Sequence, residues 1–254
     1  MSTQNDKVPS TEMAVTEDAL VGGRVRLLQP KHGYRVAVDA VLLAAAVDAR
    51  PGEKILDLGA GVGSVGLCLA ARVPDCRIVG IELQDALVAL AERNAALNRV
   101  TDRVRTFRHD LAQPLPDDLG LFDHVVANPP YLPAAMADPS PNPIKALATV
   151  ESSADLDRWL DVATSAATST VTLIHRSDRL KEIAHGLERR GWADLAILSL
   201  APVRRILVRA RRSAGGRRTR RSTPRTPPTG WPASARVREA HVRPAALRCP
   251  GCDS

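Results

Sequence analysis

The run Ile55-Leu56-Asp57-Leu58-Gly59-Ala60-Gly61-Val62-Gly63 decides how this chain folds. A short apolar strand pattern runs into three glycines at alternate positions, and a helical pattern follows to residue 72. Glycines at such a turn let the backbone bend sharply and approach a ligand with no Cβ in the way. In dinucleotide-binding folds the same turn sets a pyrophosphate on the helix N-terminus. Here Asp57 stands two positions ahead of the first glycine, and a carboxylate at the mouth of the loop repels a pyrophosphate. It suits a ligand with a cationic end, met directly or through water. Gly59 and Gly61 are the candidate ligand-contacting glycines, with Asp57 as their charged partner.

Outward from this run, short β-branched strand patterns alternate with longer helical ones, the signature of a parallel sheet wrapped by helices. Strands are predicted over 54–58, 77–82, 104–109, 122–127, 171–175, 193–200 and 205–208. Helices are predicted over 63–72, 84–98, 153–167 (with Ser153 at its start) and 179–190. The second of these sets Leu87, Leu90, Ala91 and Leu97 near one face. The expected fold is α/β: a doubly wound, mostly parallel seven-stranded sheet of Rossmann-like type, in one domain over residues 21–212. At its front, a strand-like stretch over 22–29, a turn over 30–33 and an apolar helix from about Asp39 make a hairpin-and-helix unit spanning 21–50. Residues 1–20 read as a disordered lead-in, without the apolar core of a secretory signal. A proline-rich loop over 129–150 follows the fourth strand, and long loops above the carboxyl ends of strands tend to carry function.

Two further carboxylates end strands. Glu82 lies 23 residues after Gly59 and is placed to accept from both hydroxyls of a ribose. Charged hydrogen bonds of that kind contribute about 1.5–3 kcal/mol each. Asp110, just past the third strand, is placed to accept from an adenine amino group, or else is a solvated turn residue.

The fourth strand delivers Asn128-Pro129-Pro130-Tyr131 at its carboxyl end. An amino nitrogen on a planar ring or amide is a poor nucleophile, because its lone pair is delocalised. Two acceptors placed on its N–H bonds draw it towards tetrahedral geometry and return density to the lone pair. The Asn128 side-chain carbonyl and the Pro129 backbone carbonyl can be those acceptors. Consecutive prolines fix φ at about −65°, so the loop is stiff. The acceptors are then in place before a substrate arrives. Tyr131 offers a face for stacking, worth about 1–3 kcal/mol for a base.

Together the glycine loop and the tetrapeptide resemble the class I S-adenosylmethionine-dependent methyltransferases over residues 54–208. The tetrapeptide is similar to the Asn-Pro-Pro-Tyr motif of enzymes that methylate adenine N6, cytosine N4 or glutamine N5. Leu20-Val21-Gly22-Gly23-Arg24, Gln29-Pro30, Gly33-Tyr34-Arg35 and Asp39-Ala40-Val41-Leu42-Leu43-Ala44-Ala45 resemble the N-terminal signature of the bacterial tRNA1(Val) (adenine-37-N6)-methyltransferase family. The resemblance implies S-adenosylmethionine as cofactor, RNA (tRNA first) as partner and adenine N6 as acceptor. It makes Asn128, Pro129, Pro130 and Tyr131 catalytic, and places Asp57, Gly59, Gly61, Glu82, Asp110 and Asp39 at the cofactor. In the family, Tyr34 to Asp39 lies against the cofactor side of the site; by residue chemistry alone, Asp39 could equally cap the apolar helix. A loop adenine must be unstacked into the pocket, which is cheapest in single-stranded RNA. The chain departs from the family in having Ser165-Ala166-Ala167-Thr168-Ser169 where a glycine pair precedes strand five. Glutamine N5 release-factor methyltransferases share the tetrapeptide and remain the alternative, although they carry a longer helical domain upstream.

The formal charge of +7 lies wholly in the tail. Residues 213–254 hold 9 Arg against 2 acidic residues, while residues 1–212 balance 26 basic against 26 acidic ones. This Arg-, Pro-, Ser- and Thr-rich segment lacks hydrophobic periodicity and is expected to be disordered. It reads either as a basic arm for RNA phosphates or as the out-of-frame end of a GC-rich gene, the second being favoured. The first leaves a non-catalytic RNA-binding protein as a rival function. No apolar run is long enough for a membrane-spanning helix. Cys68 and Cys76 suggest no disulfide, and Cys249 and Cys252 form a CxxC that lacks a second ligand pair, so no metal is expected. Such thiols fit a reducing, cytoplasmic setting. An NAD enzyme is disfavoured by Asp57 and by the scattered histidines, of which His109 and His124 read as structural.

Overall fold

The computed structural model describes residues 13–32, 35–36, 38–131, 153–200, 204–212 and 240–241. Strands β1 (Val15–Leu20) and β2 (Val25–Pro30) make an antiparallel hairpin. The main sheet holds β3 (Lys54–Leu58), β4 (Arg77–Glu82), β5 (Val104–Arg108), β6 (Phe122–Ala127), β7 (Ala167–Arg176), β8 (Asp194–Leu200), β9 (Arg205–Arg211) and the two-residue β10 (Ala240–His241). Their order is β10-β8-β9-β7-β6-β3-β4-β5. The helices are α1 (Val38–Ala46), α2 (Ser64–Arg72), α3 (Asp85–Leu97), α4 (Leu156–Ala166) and α5 (Leu180–Arg189). Strands β3 to β7 run parallel, and β9 is antiparallel between β7 and β8. The link from β8 to β9 is too short for a crossover helix, so the chain can only turn back on itself there. This is the expected doubly wound sheet, with β10 as a short eighth member.

The period of two along β3 divides the interior. Leu56 and Leu58 join the core under α4 and α5, with Trp159, Leu160, Ile183 and Leu187. Ile55 joins the core under α1, α2 and α3, with Leu43, Leu69, Ile78 and Leu90. Asp57 shares a face with Ile55 and therefore points beneath α2.

Several boundaries differ from the sequence reading, three of them for a clear local reason. Residues 15–20 were expected in a lead-in but form β1. Its acidic side chains find partners on β2 and just beyond it: Glu17 pairs with Arg26 at 2.6 Å, and Asp18 accepts from Gln29 at 2.8 Å and Arg35 at 2.8 Å. Helix α4 starts at Leu156, because Asp155 accepts the Arg158 N–H at 2.8 Å as its cap. Ser153, the expected start, gives its hydroxyl to Asp110 instead, at 2.8 Å. β7 begins at Ala167, four residues early, because Ala167 already pairs with Phe122 of β6. Residues 1–12 of the lead-in, most of the tail with Cys249 and Cys252, and the loop over 132–152 lie outside the described residues. Cys68 and Cys76 are buried free thiols.

The hairpin is fastened by two asparagines one turn apart, Asn94 on α3 and Asn98 at its C-cap. Asn98 accepts the Arg26 N–H at 2.9 Å and donates to its carbonyl at 2.7 Å. Asn94, fully buried, accepts the Leu28 N–H at 2.7 Å and donates to the carbonyls of Leu28 at 2.8 Å and Val62 at 3.0 Å. The two amides thus stand in for a neighbouring strand along β2. Asn94→Leu strands three backbone groups at about 1–3 kcal/mol for each that stays unsatisfied. We expect a loss of at least about 2 kcal/mol by urea unfolding. A loss under about 0.5 kcal/mol would show the clip to be incidental.

Candidate active site

Strand register gathers the candidate residues on one edge of the sheet. Leu58 of β3 stands opposite Ala127 of β6, so the Gly59 turn and Asn128 leave neighbouring parallel strands at the same level. On the other side Leu58 is opposite Ile81, and Glu82 is opposite Arg108, which brings Glu82 and then Asp110 to the same carboxyl edge. Strand order reverses between β3 and β6, where a crevice must open. The crevice is a cleft of about 1190 Å3, its open mouth included, lined among others by Asp57, Gly59, Glu82, Asp110, Asn128 and Tyr131.

The turn itself is held in the left-handed region, with φ of +66° at Gly59, +56° at Gly61 and +81° at Gly63. Gly59 also abuts the Trp159 indole, which walls the cleft from α4; a Cβ there would sit 2.5 Å from the ring. Gly63 ends the turn as the N-cap of α2 with no side-chain cap. The first turn of that helix meets the Asp57 carboxyl instead, through the Gly66 amide.

Asp57 is 2% exposed at the base of this turn, and its Oδ2 has no hydrogen-bond partner among the described residues. Burial, with the Glu82 charge adding to it, pushes its pKa up to about 8, while the Gly66 amide pulls the other way. An unpartnered buried carboxylate oxygen is the observation that fits a cationic ligand group here. That lies well above the ordinary carboxylate range, so Asp57 holds a proton at neutral pH in the free protein. A cation that prefers the carboxylate must expel that proton. Affinity for the cationic donor should therefore rise with pH, by up to about tenfold per unit, until about pH 8, where the donor's own α-ammonium begins to lose its proton and the gain ends. Calorimetry in buffers of different ionisation enthalpy checks this: binding near pH 7 should release up to one proton. Proton-neutral binding would rule the linkage out.

Glu82 has a second task that the sequence did not reveal. Its two oxygens accept the N–H groups of Gly61 and Gln84, each at 2.9 Å, stapling the glycine turn to β4. A carboxylate has about four acceptor sites, so acceptor capacity remains beside these amides and that of Leu83. Burial raises its pKa. Asp110 accepts from the Ala112 N–H at 2.9 Å and from Ser153, and these bonds hold its pKa low. It lines the cleft as a charged carboxylate. His109, read as structural, lines the cleft too, and its Nε2 has no partner among the described residues. His124 is structural in its contacts: it is bound between Thr170 at 2.7 Å and Glu53 at 2.9 Å near the amino edge of the sheet.

At the tetrapeptide, Tyr131 sits in a frame assembled from three distant segments. Its hydroxyl lies 2.7 Å from Asn128 Oδ1 and 2.8 Å from Asp39 Oδ2. Asp39 is in the first turn of α1, and Arg205 of β9 donates to the same Oδ2 at 3.2 Å. The Arg205 guanidinium lies over the Tyr131 ring, 4.3 Å from its centre. His175 meets the ring edge-on at 5.3 Å, and its Nε2 is 3.3 Å from the Pro130 carbonyl. Burial lowers the His175 pKa to about 4, so the imidazole is neutral and that Nε2 donates. Asp39 thus supports Tyr131 behind the cleft wall, while Val36 and Ala40 beside it face the cleft. Tyr34 lies outside the described residues. His175 had a readable signal, a histidine at the carboxyl end of a predicted strand. Arg205 had none, because only the antiparallel β8–β9 hairpin brings it to this edge.

Comparison with known proteins agrees with this geometry. The family described as the methyltransferase small domain matches residues 35–139. A tRNA1(Val) (adenine(37)-N6)-methyltransferase of Yersinia enterocolitica is 30% identical over 189 residues, covering 71% of this chain and 74% of that protein. A release factor glutamine methyltransferase of Geobacter sulfurreducens is 38% identical over 109 residues, covering 43% of this chain and 36% of that protein. A tRNA1(Val) (adenine(37)-N6)-methyltransferase of Bacteroides thetaiotaomicron is 37% identical over 111 residues, 43% of this chain and 46% of that protein. The chain thus spans less than half the length of the last two. Among solved structures, the Thermus thermophilus 16S rRNA N2 G1207 methyltransferase in complex with AdoMet and guanosine shares the fold, with a TM-score of 0.59 and 18% identity over 80% of this chain and 51% of that one. Fold, cleft and relatives agree: the chain belongs to the S-adenosylmethionine-dependent methyltransferases of the tRNA1(Val) (adenine(37)-N6)-methyltransferase family.

Proposed function

We propose that this protein transfers a methyl group from S-adenosylmethionine to N6 of an adenine in tRNA. The single observation that carries the reading is the β3–β6 register, which opens the glycine turn and Asn128-Pro129-Pro130-Tyr131 into one cleft. When bound, S-adenosylmethionine supplies an electrophilic methyl group on a cationic sulfur. Asp57 receives the ammonium of its amino-acid end, Glu82 the ribose hydroxyls and Asp110 the adenine amine. On the substrate side, Tyr131 stacks on the unstacked base, and the Asn128 and Pro129 carbonyls take its two N–H bonds. His175 holds the Pro130 carbonyl so that the prolines do not turn. Such a substrate places the work in the cytoplasm.

Mass spectrometry of tRNA nucleosides from a strain lacking the gene tests the reading: N6-methyladenosine should fall and return on complementation. The match to the release factor glutamine methyltransferase favours a second reading, since a glutamine amide presents the same two N–H bonds. Unchanged tRNA nucleosides together with unmethylated release-factor glutamine in the deletion strain would select it.

A further inference from the structure

Among the described residues, the Tyr131 hydroxyl has two acceptors within reach, and it carries one hydrogen. Asp39 Oδ2 lies at 2.8 Å and Asn128 Oδ1 at 2.7 Å, and a phenol cannot donate to both. The carboxylate is the stronger acceptor, since a charge-assisted bond is about twice as strong as a neutral one. Arg205 reinforces it, paired with the same Oδ2 at 3.2 Å. With its hydrogen committed to Asp39, the phenol oxygen can only accept from its other neighbour. The Asn128 amide must then offer its NH2, which a half-turn about the last side-chain bond brings to the Oδ1 position, because the two groups are alike in shape.

We infer that Asp39 is a positioning residue for Asn128, acting through Tyr131. The chain of donors runs from the Asn128 NH2 to the Tyr131 oxygen, and from the Tyr131 hydroxyl to Asp39. It leaves the Asn128 carbonyl turned away from Tyr131 and free to accept from the substrate amine. Without Asp39 the phenol hydrogen swings to Asn128, and one of the two acceptors is engaged before the substrate arrives. The inference rests on the reading of Asn128 as an N–H acceptor, and not on which amine is methylated.

A double-mutant cycle separates this role from general packing. Asp39→Ala should lower kcat on the order of 100-fold, with KM and donor affinity changed less than roughly threefold. Tyr131→Phe keeps the ring but has no hydrogen to misplace, so it should cost roughly tenfold. The double variant should match Tyr131→Phe alone, recovering most of the loss of Asp39→Ala. Losses that multiply, or full turnover in Asp39→Ala, would overturn the inference. Thermal melting of Asp39→Asn, which keeps shape and an acceptor oxygen, guards against misfolding; its kcat should fall between wild type and Asp39→Ala. A readout free of any substrate is NMR of 15N-asparagine-labelled protein. The Asn128 side-chain amide should show one slowly exchanging, hydrogen-bonded proton that disappears in both Tyr131→Phe and Asp39→Ala. Its persistence in either variant would overturn the inference, whereas failure of wild type to methylate tRNA would count against the substrate reading alone.

Discussion

Asn128→Ala is expected to lower methyl transfer about 1000-fold while leaving donor affinity within roughly threefold of wild type. The asymmetry follows from where the side chain sits. Asn128 begins at the carboxyl end of β6, and the glycine turn leaves the neighbouring strand; among the described residues the side-chain bond that holds the turn comes from Glu82, not from the Asn128 amide. Glu82 and Gly63, not Asn128, set the shape of the turn. Removing the amide therefore removes an acceptor for the reacting nitrogen and little else. Single-turnover transfer of labelled methyl measures the first quantity. Fluorescence of Trp159, on the cleft wall, measures the second. Parallel loss of donor binding would mean that Asn128 supports the cofactor site rather than the chemistry.

Gly59→Ala is expected to have the reverse signature, a donor-affinity loss of at least about 100-fold with a lower melting temperature. Two costs combine. A residue with a Cβ at φ +66° incurs about 1–2 kcal/mol. The new methyl would also lie 2.5 Å from Trp159 Cη2, so the indole or the turn must move, at about 1–3 kcal/mol. For a domain of this size the sum corresponds to roughly 5–15 °C in Tm. Gly61→Ala provides the contrast: its φ is +56°, but no atom lies within 4 Å of the added Cβ. It should carry the backbone cost without the clash. If the two alanine variants are equally impaired, the Trp159 contact does not matter; if Trp159→Leu restores affinity to Gly59→Ala, it is the cause.

Most of the main sheet was legible because a buried parallel strand reads as a short, mostly apolar run, and 54–58, 77–82 and 122–127 do so, with their charged residues at or near the ends. Asp57 and Asn128 were legible because polar residues beside such strands stand out. The hairpin was misplaced because its first strand is amphipathic and acidic, and its charges find their cationic partners across the turn, on Arg26 and Arg35. The frame around Tyr131 was hidden for a different reason. Asp39, His175 and Arg205 lie 92, 44 and 74 residues from it, and no local pattern links them. The role of Glu82 as a staple for Gly61 was hidden as well, since backbone partners leave no trace in side-chain chemistry.

The central claim is that one cleft holds the sulfonium donor beside a clamp for a flat amine. Its most direct test is to incubate purified protein with tRNA and a donor carrying a deuterated methyl group, then digest the RNA and weigh its nucleosides. The account predicts deuterated N6-methyladenosine with wild type and none with Asn128→Ala, although that variant still retains the donor. Label on another nucleoside, or a wild-type protein that fails to retain the donor at all, would contradict it.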